Sequence, residues 1–219
     1  MAALSGEAAI VRGTLLREMP AIVIPFRGRD GKRRLEPLPD EARHELALAM
    51  LGDVLTACVA VGPTVVVTGD EAGAALAEEI GGTAVDDPED GQAAAVAAGL
   101  AAVDEGPALV VNADVPCVVP HDLRVLAAAA PPGGMALVAA DDGTTNALAL
   151  SERRQFAPVY GPSSASRFQE RASDLGVDAV AAVIPSLAQD VDTLADLERV
   201  SLGAGPRTQT AIARLGIPA

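Results

Sequence analysis

The chain has 219 residues and a formal charge of −14, from 16 Lys and Arg against 30 Asp and Glu; half of its residues are hydrophobic and 2% are aromatic. This length suits one domain, and the apolar fraction is enough for a sizeable core, which excludes a disordered chain. The acidic balance argues against a nucleic-acid partner, whose binding face would be basic, and the scarcity of aromatics argues against a base-stacking platform.

Residues 1–19 carry no pattern and read as an irregular N-terminal arm. Glu7, Arg12, Arg17 and Glu18 interrupt any apolar signal segment. No run of about 18 apolar residues occurs, so a membrane partner is not expected. Cys58 and Cys117 lack metal-binding spacing and read as small buried hydrophobes of a cytoplasmic protein.

Ala21–Pro25 is a short apolar run rich in β-branched residues, as a buried strand requires. Phe26–Pro39 is polar, basic and Gly-bearing, hence a loop. Asp40 is placed to cap a helix running to about Cys58, with Leu46, Met50, Val54 and Cys58 on one face. The alternation then repeats: strand Thr64–Val67, helix Ala72–Ile80, strand Thr83–Val85, Ala-rich helix Gly91–Val103, strand Ala108–Val111, helix His121–Ala130 and strand Met135–Ala139. Beyond residue 140 the rhythm changes. Two Gly/Ser/Thr-rich segments, Gly143–Asn146 and Gly161–Ser166, flank a strand at Ala147–Leu150. A helix over Ser166–Leu175, a strand over Val177–Val183, a helix over Thr193–Leu202 and a loosely attached tail from Gly203 complete the reading. The expected architecture is a single α/β domain over residues 20–202, with a mixed, mostly parallel sheet covered by helices on both faces.

In such sheets ligands bind beyond the carboxyl ends of the strands. Four segments fall there. Arg27–Arg34 holds Arg27, Arg29, Lys32, Arg33 and Arg34, which suits an anion, although solvated basic loops are equally common. Asp114 follows the most apolar strand, where a carboxylate can serve a divalent cation or a simple turn. Asp190 and Asp192 flank Val191, and in extended backbone they share one side. A cation would relieve their repulsion; the plainer reading has Asp192 cap the next helix, with Asp190 in solvent. Thr145 and the Gly161–Ser164 segment offer hydroxyls and unobstructed amides, with Ser164 a good N-cap. His44 and His121 lack a nucleophile partner in any recognisable motif.

In this order the segments resemble one family, the guanylyltransferases that activate a phospho-acid in coenzyme F-420 biosynthesis. The resemblance rests on Lys32-Arg33-Arg34-Leu35, Asn112–Pro116, Asp141–Leu148, Gly161–Ser164 and Asp190–Leu197. It covers about residues 21–202. It implies a nucleotide-diphospho-sugar-transferase-like fold and transfer of GMP from GTP to a small phosphorylated acid. Asp114, Asp190 and Asp192 would hold Mg²⁺ or Mn²⁺. Lys32 and Arg34 would meet the triphosphate, with Asp114 beside them at the reacting centre. Thr145, Gly161 and Ser164 would hold the acid, and Arg27, Gly91 and Gln92 the nucleotide. The family's G-L-N-A-A segment reads Gly91-Gln92-Ala93-Ala94-Ala95, with Gln92 standing in for the amide. Ser164-Ala165-Ser166-Arg167 resembles the actinobacterial branch, which uses phosphoenolpyruvate. 2-Phospho-L-lactate and 3-phosphoglycerate stay open as acceptors. The resemblance also implies hand-over of an unstable product to the next enzyme of the pathway. Two rivals are weaker. Other nucleotidyltransferases of this sheet type carry G-G-x-S-x-R-M after the first strand, and a receiver-like module needs an acidic pair there; Arg27–Leu35 offers neither.

Overall fold

The computed structural model of the chain describes residues 19–30, 35–36 and 38–217. Among the described residues seven strands form one sheet: β1 (Ala21–Pro25), β2 (Thr64–Val67), β3 (Thr83–Val85), β4 (Ala108–Val111), β5 (Met135–Ala139), β6 (Thr145–Leu150) and β7 (Ala179–Ala181). Their spatial order is β3-β2-β1-β4-β6-β5-β7. All pairings are parallel except those of β6, which runs against both β4 and β5. This is the expected mixed, mostly parallel sheet.

Eight α-helices occur among the described residues: α1 (Asp40–Val59), α2 (Glu71–Ile80), α3 (Gly91–Ala101), α4 (Pro120–Ala129), α5 (Ser164–Leu175), α6 (Pro185–Ala188), α7 (Leu194–Val200) and α8 (Pro206–Leu215). Alternation along the strands builds a core on each face of the sheet. Ile22 and Ile24 of β1 pack with Leu51, Val54 and Leu55 of α1 and Leu123 and Leu126 of α4. Val23, between them, faces Val96 and Leu100 of α3 on the other side. Each fully buried aliphatic side chain contributes about 1.5–3 kcal/mol relative to exposure. The helix α3 seats unusually close: a Cβ at Gly99 would stand 2.4 Å from Val23 Cγ1 and 2.8 Å from Val67 Cγ2.

Several expectations need correction. First, the segment from Gly203 is not loosely attached. It forms α8, whose Ala211 and Ile212 join a third core with Leu46 and Met50 of α1 and Leu197 and Val200 of α7. Its first turn is capped from far away in sequence. The buried Asp53 of α1 accepts from the amides of Arg207 at 3.0 Å and Thr208 at 2.8 Å. Gly205 permits this approach, because a Cβ there would lie 2.3 Å from Asp53 Cγ. Second, β6 begins at Thr145 rather than Ala147, so Thr145 and Asn146 are strand residues with buried polar side chains. Third, α5 starts at Ser164, two residues early, and the short α6 adds a helix the pattern does not reveal. Asp40 is likewise the first residue of α1, with Pro39 in the cap position. The cysteines are free; Cys58 is buried in the core and Cys117 is partly buried. No helix is long and apolar enough to cross a membrane among the described residues.

Candidate active site

A cleft of about 600 Å³ opens at the carboxyl ends of β1 and β4. Because β6 runs the other way, its amino end reaches the same edge and brings Thr145 and Asn146 into the lining. Ten of the eleven expected site residues can be sorted by this cleft or by the limits of the described chain. Arg27, Gly91, Gln92, Asp114, Thr145, Gly161, Asp190 and Asp192 all line it. Lys32 and Arg34 lie outside the described residues. The eleventh, Ser164, stands one layer back. It is fully buried, and its hydroxyl donates to Thr145 Oγ1 at 3.0 Å. Ser164 is also not the N-cap of α5. That position belongs to Ser163, in left-handed backbone at φ +57°.

The acidic group is built by backbone ties. Val191 N–H donates to the Asp114 carbonyl at 3.0 Å, which docks the 190–192 segment onto the turn after β4. The Val191 side chain enters the third core, so its two neighbours turn toward the cleft, as alternation predicts. Carboxylate oxygens of Asp114, Asp190 and Asp192 lie within 4.8 Å of one another. Burial, then the charge of Asp114, pushes the Asp190 carboxyl above its ordinary range; hydrogen bonds from Asn146 and the Asp190 backbone pull it back, and Asp192 adds to the push. Three hard oxygen donors at this spacing fit a divalent cation. The plainer reading, in which Asp192 caps the next helix, does not hold. Thr193 caps α7 and accepts from Asp196 N at 3.2 Å, while Asp196 returns a bond from Thr193 N at 2.8 Å.

Across the cleft, a Cβ at Gly91, whose φ is +86°, would sit 3.8 Å from an Arg27 guanidinium nitrogen. The root of the basic loop is clamped at Gly28, whose φ is +58°. A Cβ there would stand 2.5 Å from the Asp70 side chain, and Asp70 in turn meets His44 Nε2 at 2.8 Å. Thus His44 has a carboxylate partner that sequence spacing does not show.

The sequence reading misses two residues here. Asn112 and Asn146 link the acidic group to Gln92 by a run of amide hydrogen bonds. The available signal is a carboxamide at the end of an apolar run, Asn112 after Ala108–Val111, and another at the start of one, Asn146 before Ala147–Leu150. Among the described residues the lining holds six aspartates and one basic side chain, Arg27.

A family model described as guanylyl transferase CofC like matches residues 20–218. The chain is 38% identical over 211 residues to a phosphoenolpyruvate guanylyltransferase of Nocardia farcinica, covering 90% of this chain and 91% of that protein. It is 39% identical over 208 residues to the protein of the same name from Streptomyces coelicolor, covering 89% and 96%. In fold it is similar to a Desulfovibrio desulfuricans G20 protein provisionally called a nucleotide-diphospho-sugar transferase, with a TM-score of 0.72 at 13% identity, over 90% of this chain and 96% of that one. The sheet topology, the cleft at its carboxyl edge and the extent of these matches agree: the chain belongs to the CofC-like guanylyl transferase family.

Proposed function

We propose that this protein transfers GMP from GTP to phosphoenolpyruvate, giving enolpyruvoyl-2-diphospho-5′-guanosine and pyrophosphate. The observation that carries this reading is the clustering of Asp114, Asp190 and Asp192 within 4.8 Å, in one cleft that Arg27, Gln92, Thr145 and Gly161 also line. Named relatives at 38–39% identity support phosphoenolpyruvate as the acceptor.

In the reaction a phosphate oxygen of phosphoenolpyruvate forms a bond to the α-phosphorus of GTP. The bond from that phosphorus to the β-phosphate bridging oxygen breaks, and pyrophosphate departs. The attacking phosphate is already ionised, so no general base is required, which suits a cleft without a histidine in its lining. The electrostatic problem dominates instead. Two polyanions must meet in a cleft whose described lining has six carboxylates. Asp114, Asp190 and Asp192 would hold Mg²⁺ or Mn²⁺. When bound, such an ion neutralises charge on the phosphates and stabilises the transition state. Arg27, with Gly91 and Gln92, would orient the nucleotide. Lys32 and Arg34 would draw charge toward the departing pyrophosphate. Thr145 and Gly161 would seat the acid, and buried Ser164 would fix the Thr145 hydroxyl by its hydrogen bond.

The test is a matrix of GTP, ATP and CTP against phosphoenolpyruvate, 2-phospho-L-lactate and 3-phosphoglycerate with Mg²⁺. Pyrophosphate and the coupled product are read by mass. The expected result is product from GTP and phosphoenolpyruvate well above all other pairs. Product chiefly from another acid would overturn the acceptor assignment, and no product in any pairing would overturn the reaction.

A further inference from the structure

Antiparallel pairing of β4 with β6 places Asn112 beside Asn146: the Asn112 amide donates to the Asn146 carbonyl at 2.9 Å. Their side chains then continue a line of hydrogen bonds across the floor of the cleft. Gln92 Nε2 donates to Asn112 Oδ1 at 2.8 Å. Asn112 Nδ2 donates to Asn146 Oδ1 at 3.2 Å and to the Thr145 carbonyl at 3.3 Å. Asn146 Nδ2 donates to Asp190 Oδ1 at 3.2 Å and to the Ala188 carbonyl at 3.3 Å.

The direction of this line follows from chemistry. A carboxamide has one donating end and one accepting end, whereas a main-chain carbonyl and an ionised carboxylate only accept. The Ala188 carbonyl and Asp190 together require Asn146 to turn its NH₂ toward them. That leaves Asn146 Oδ1 to accept from Asn112, whose NH₂ is held the same way by the Thr145 carbonyl. Asn112 Oδ1 must then accept, so Gln92 has to present its NH₂ inward. Reversing Asn112 or Asn146 sets oxygen against oxygen at two contacts, and reversing Gln92 does so at one. Asn146 is 1% exposed, so water cannot readily repair such a reversal.

We propose that Asn112 and Asn146 are positioning residues that fix the Asp190 carboxylate and, through the same line, the polarity of the Gln92 amide. Gln92 thereby offers the cleft a carbonyl oxygen, an acceptor for an N–H on the edge of a nucleobase. The cation site and the nucleotide wall are thus set by one hydrogen-bond direction. The part concerning the nucleobase rests on the GTP reading; the part concerning Asp190 does not.

The experiment uses the full-length protein and two readouts. Mn²⁺ binding without nucleotide is titrated by electron paramagnetic resonance. Preference for GTP over ATP is taken as the ratio of kcat/KM with phosphoenolpyruvate. Asn146→Ala is expected to weaken Mn²⁺ binding about 10-fold or more. Asn112→Leu, which keeps the branched outline but not the bonds, is expected to weaken Mn²⁺ binding by a smaller factor and to lower the GTP preference several-fold. Gln92→Leu should lower the preference and leave Mn²⁺ binding unchanged. If Asn146→Ala is poorly folded by thermal melt, Asn146→Ser replaces it with the same expectation. Wild-type Mn²⁺ affinity in the Asn146 variant would overturn the positioning role. An unchanged nucleotide preference in Asn112→Leu would overturn the coupling. If the wild-type protein turns over no GTP with any acid, the reaction assignment fails while the Mn²⁺ titration still decides the role of Asn146.

Discussion

Asp53 and Asp190 are both carboxylates drawn into the fold, and their surroundings treat them in opposite ways. Asp53 lies at the positive end of α8 and accepts two main-chain amides there. Asp190 receives the Asn146 amide but faces Asp114 and Asp192 across a few ångströms. The fold supplies the first with donors and surrounds the second with like charge. The first arrangement ties the C-terminal helix to α1. On the proposed reading the second sets aside stability for the capacity to bind a cation, the kind of local conflict expected where function is located.

The largest effect that would separate the two is on turnover. Asp190→Ala or Asp192→Ala is expected to lower pyrophosphate release from GTP and phosphoenolpyruvate by about 10³-fold or more, the scale of losing a preorganised charge-stabilising group. Circular dichroism of the same variants should match wild type. Near-normal GTP consumption by either would break the assignment of the acidic group.

Next comes the structural partner. Asp53→Ala leaves two amides at the start of α8 without an acceptor, at a cost of about 3 kcal/mol. In a chain of this size the midpoint should fall by roughly 6–12 °C in a thermal melt. Mn²⁺ affinity of the folded variant should be unchanged. A midpoint within a degree of wild type would show that Asp53 does not hold α8.

The third effect has the opposite sign. Asp190→Asn removes one of three crowded charges, so the protein measured in a chelator should gain about 1 kcal/mol, or roughly 2–4 °C. Added Mg²⁺ should raise the wild-type midpoint and barely move the variant. A variant less stable than wild type in chelator would contradict the picture of mutual repulsion.

The smallest effect concerns a third carboxylate, Asp196, which is handled as Asp53 is. Partial burial raises its carboxyl, but the Thr193 hydroxyl, the amides of Thr193 and Asp192 and the charge of Arg199 outweigh that and hold it below the ordinary value. With the native carboxyl lowered, the unfolded chain takes up the proton first. The stabilisation is therefore present above the ordinary carboxylate pKa and is lost as pH falls through the native one. Melts of wild type and Asp196→Asn between about pH 6 and pH 3 should converge on the acidic side. A constant gap would show that Asp196 does not titrate in this way.

The strands of the first half are legible because Ile22–Ile24, Val65–Val67 and Leu109–Val111 are nearly pure β-branched or aliphatic runs, buried on both faces. The Asp190-Val191-Asp192 geometry is legible for the same reason: alternation alone turns both acids to one side. What escapes is whatever depends on a distant partner. The helix α8 shows only Thr208, Ala211 and Ile212 as its buried stripe, and its cap comes from Asp53, about 150 residues earlier. Thr145 and Asn146 resemble a turn because their polarity is satisfied by Ser164, Asn112 and Asp190, none of them a sequence neighbour. Ser164 has the side chain of a cap, yet it supports a strand residue instead. Local propensity predicts what a side chain can do, and pairing across the sheet decides which option is taken.

Gly99 has no side chain, so α3 rests directly on Val23 and Val67, and Gly91 and Gln92 ride at the far end of the same rod, about 12 Å along its axis. The stand-off between that wall and the acidic wall is accordingly gauged in the hydrophobic core, at a position outside the cleft lining. A methyl group at 99 would act as a shim, lifting the rod with Gly91 and Gln92 and widening the cleft while leaving the identity of every lining residue unchanged. On the proposed reading, substrate breadth would therefore drift through core substitutions that a survey of the cleft alone would pass over.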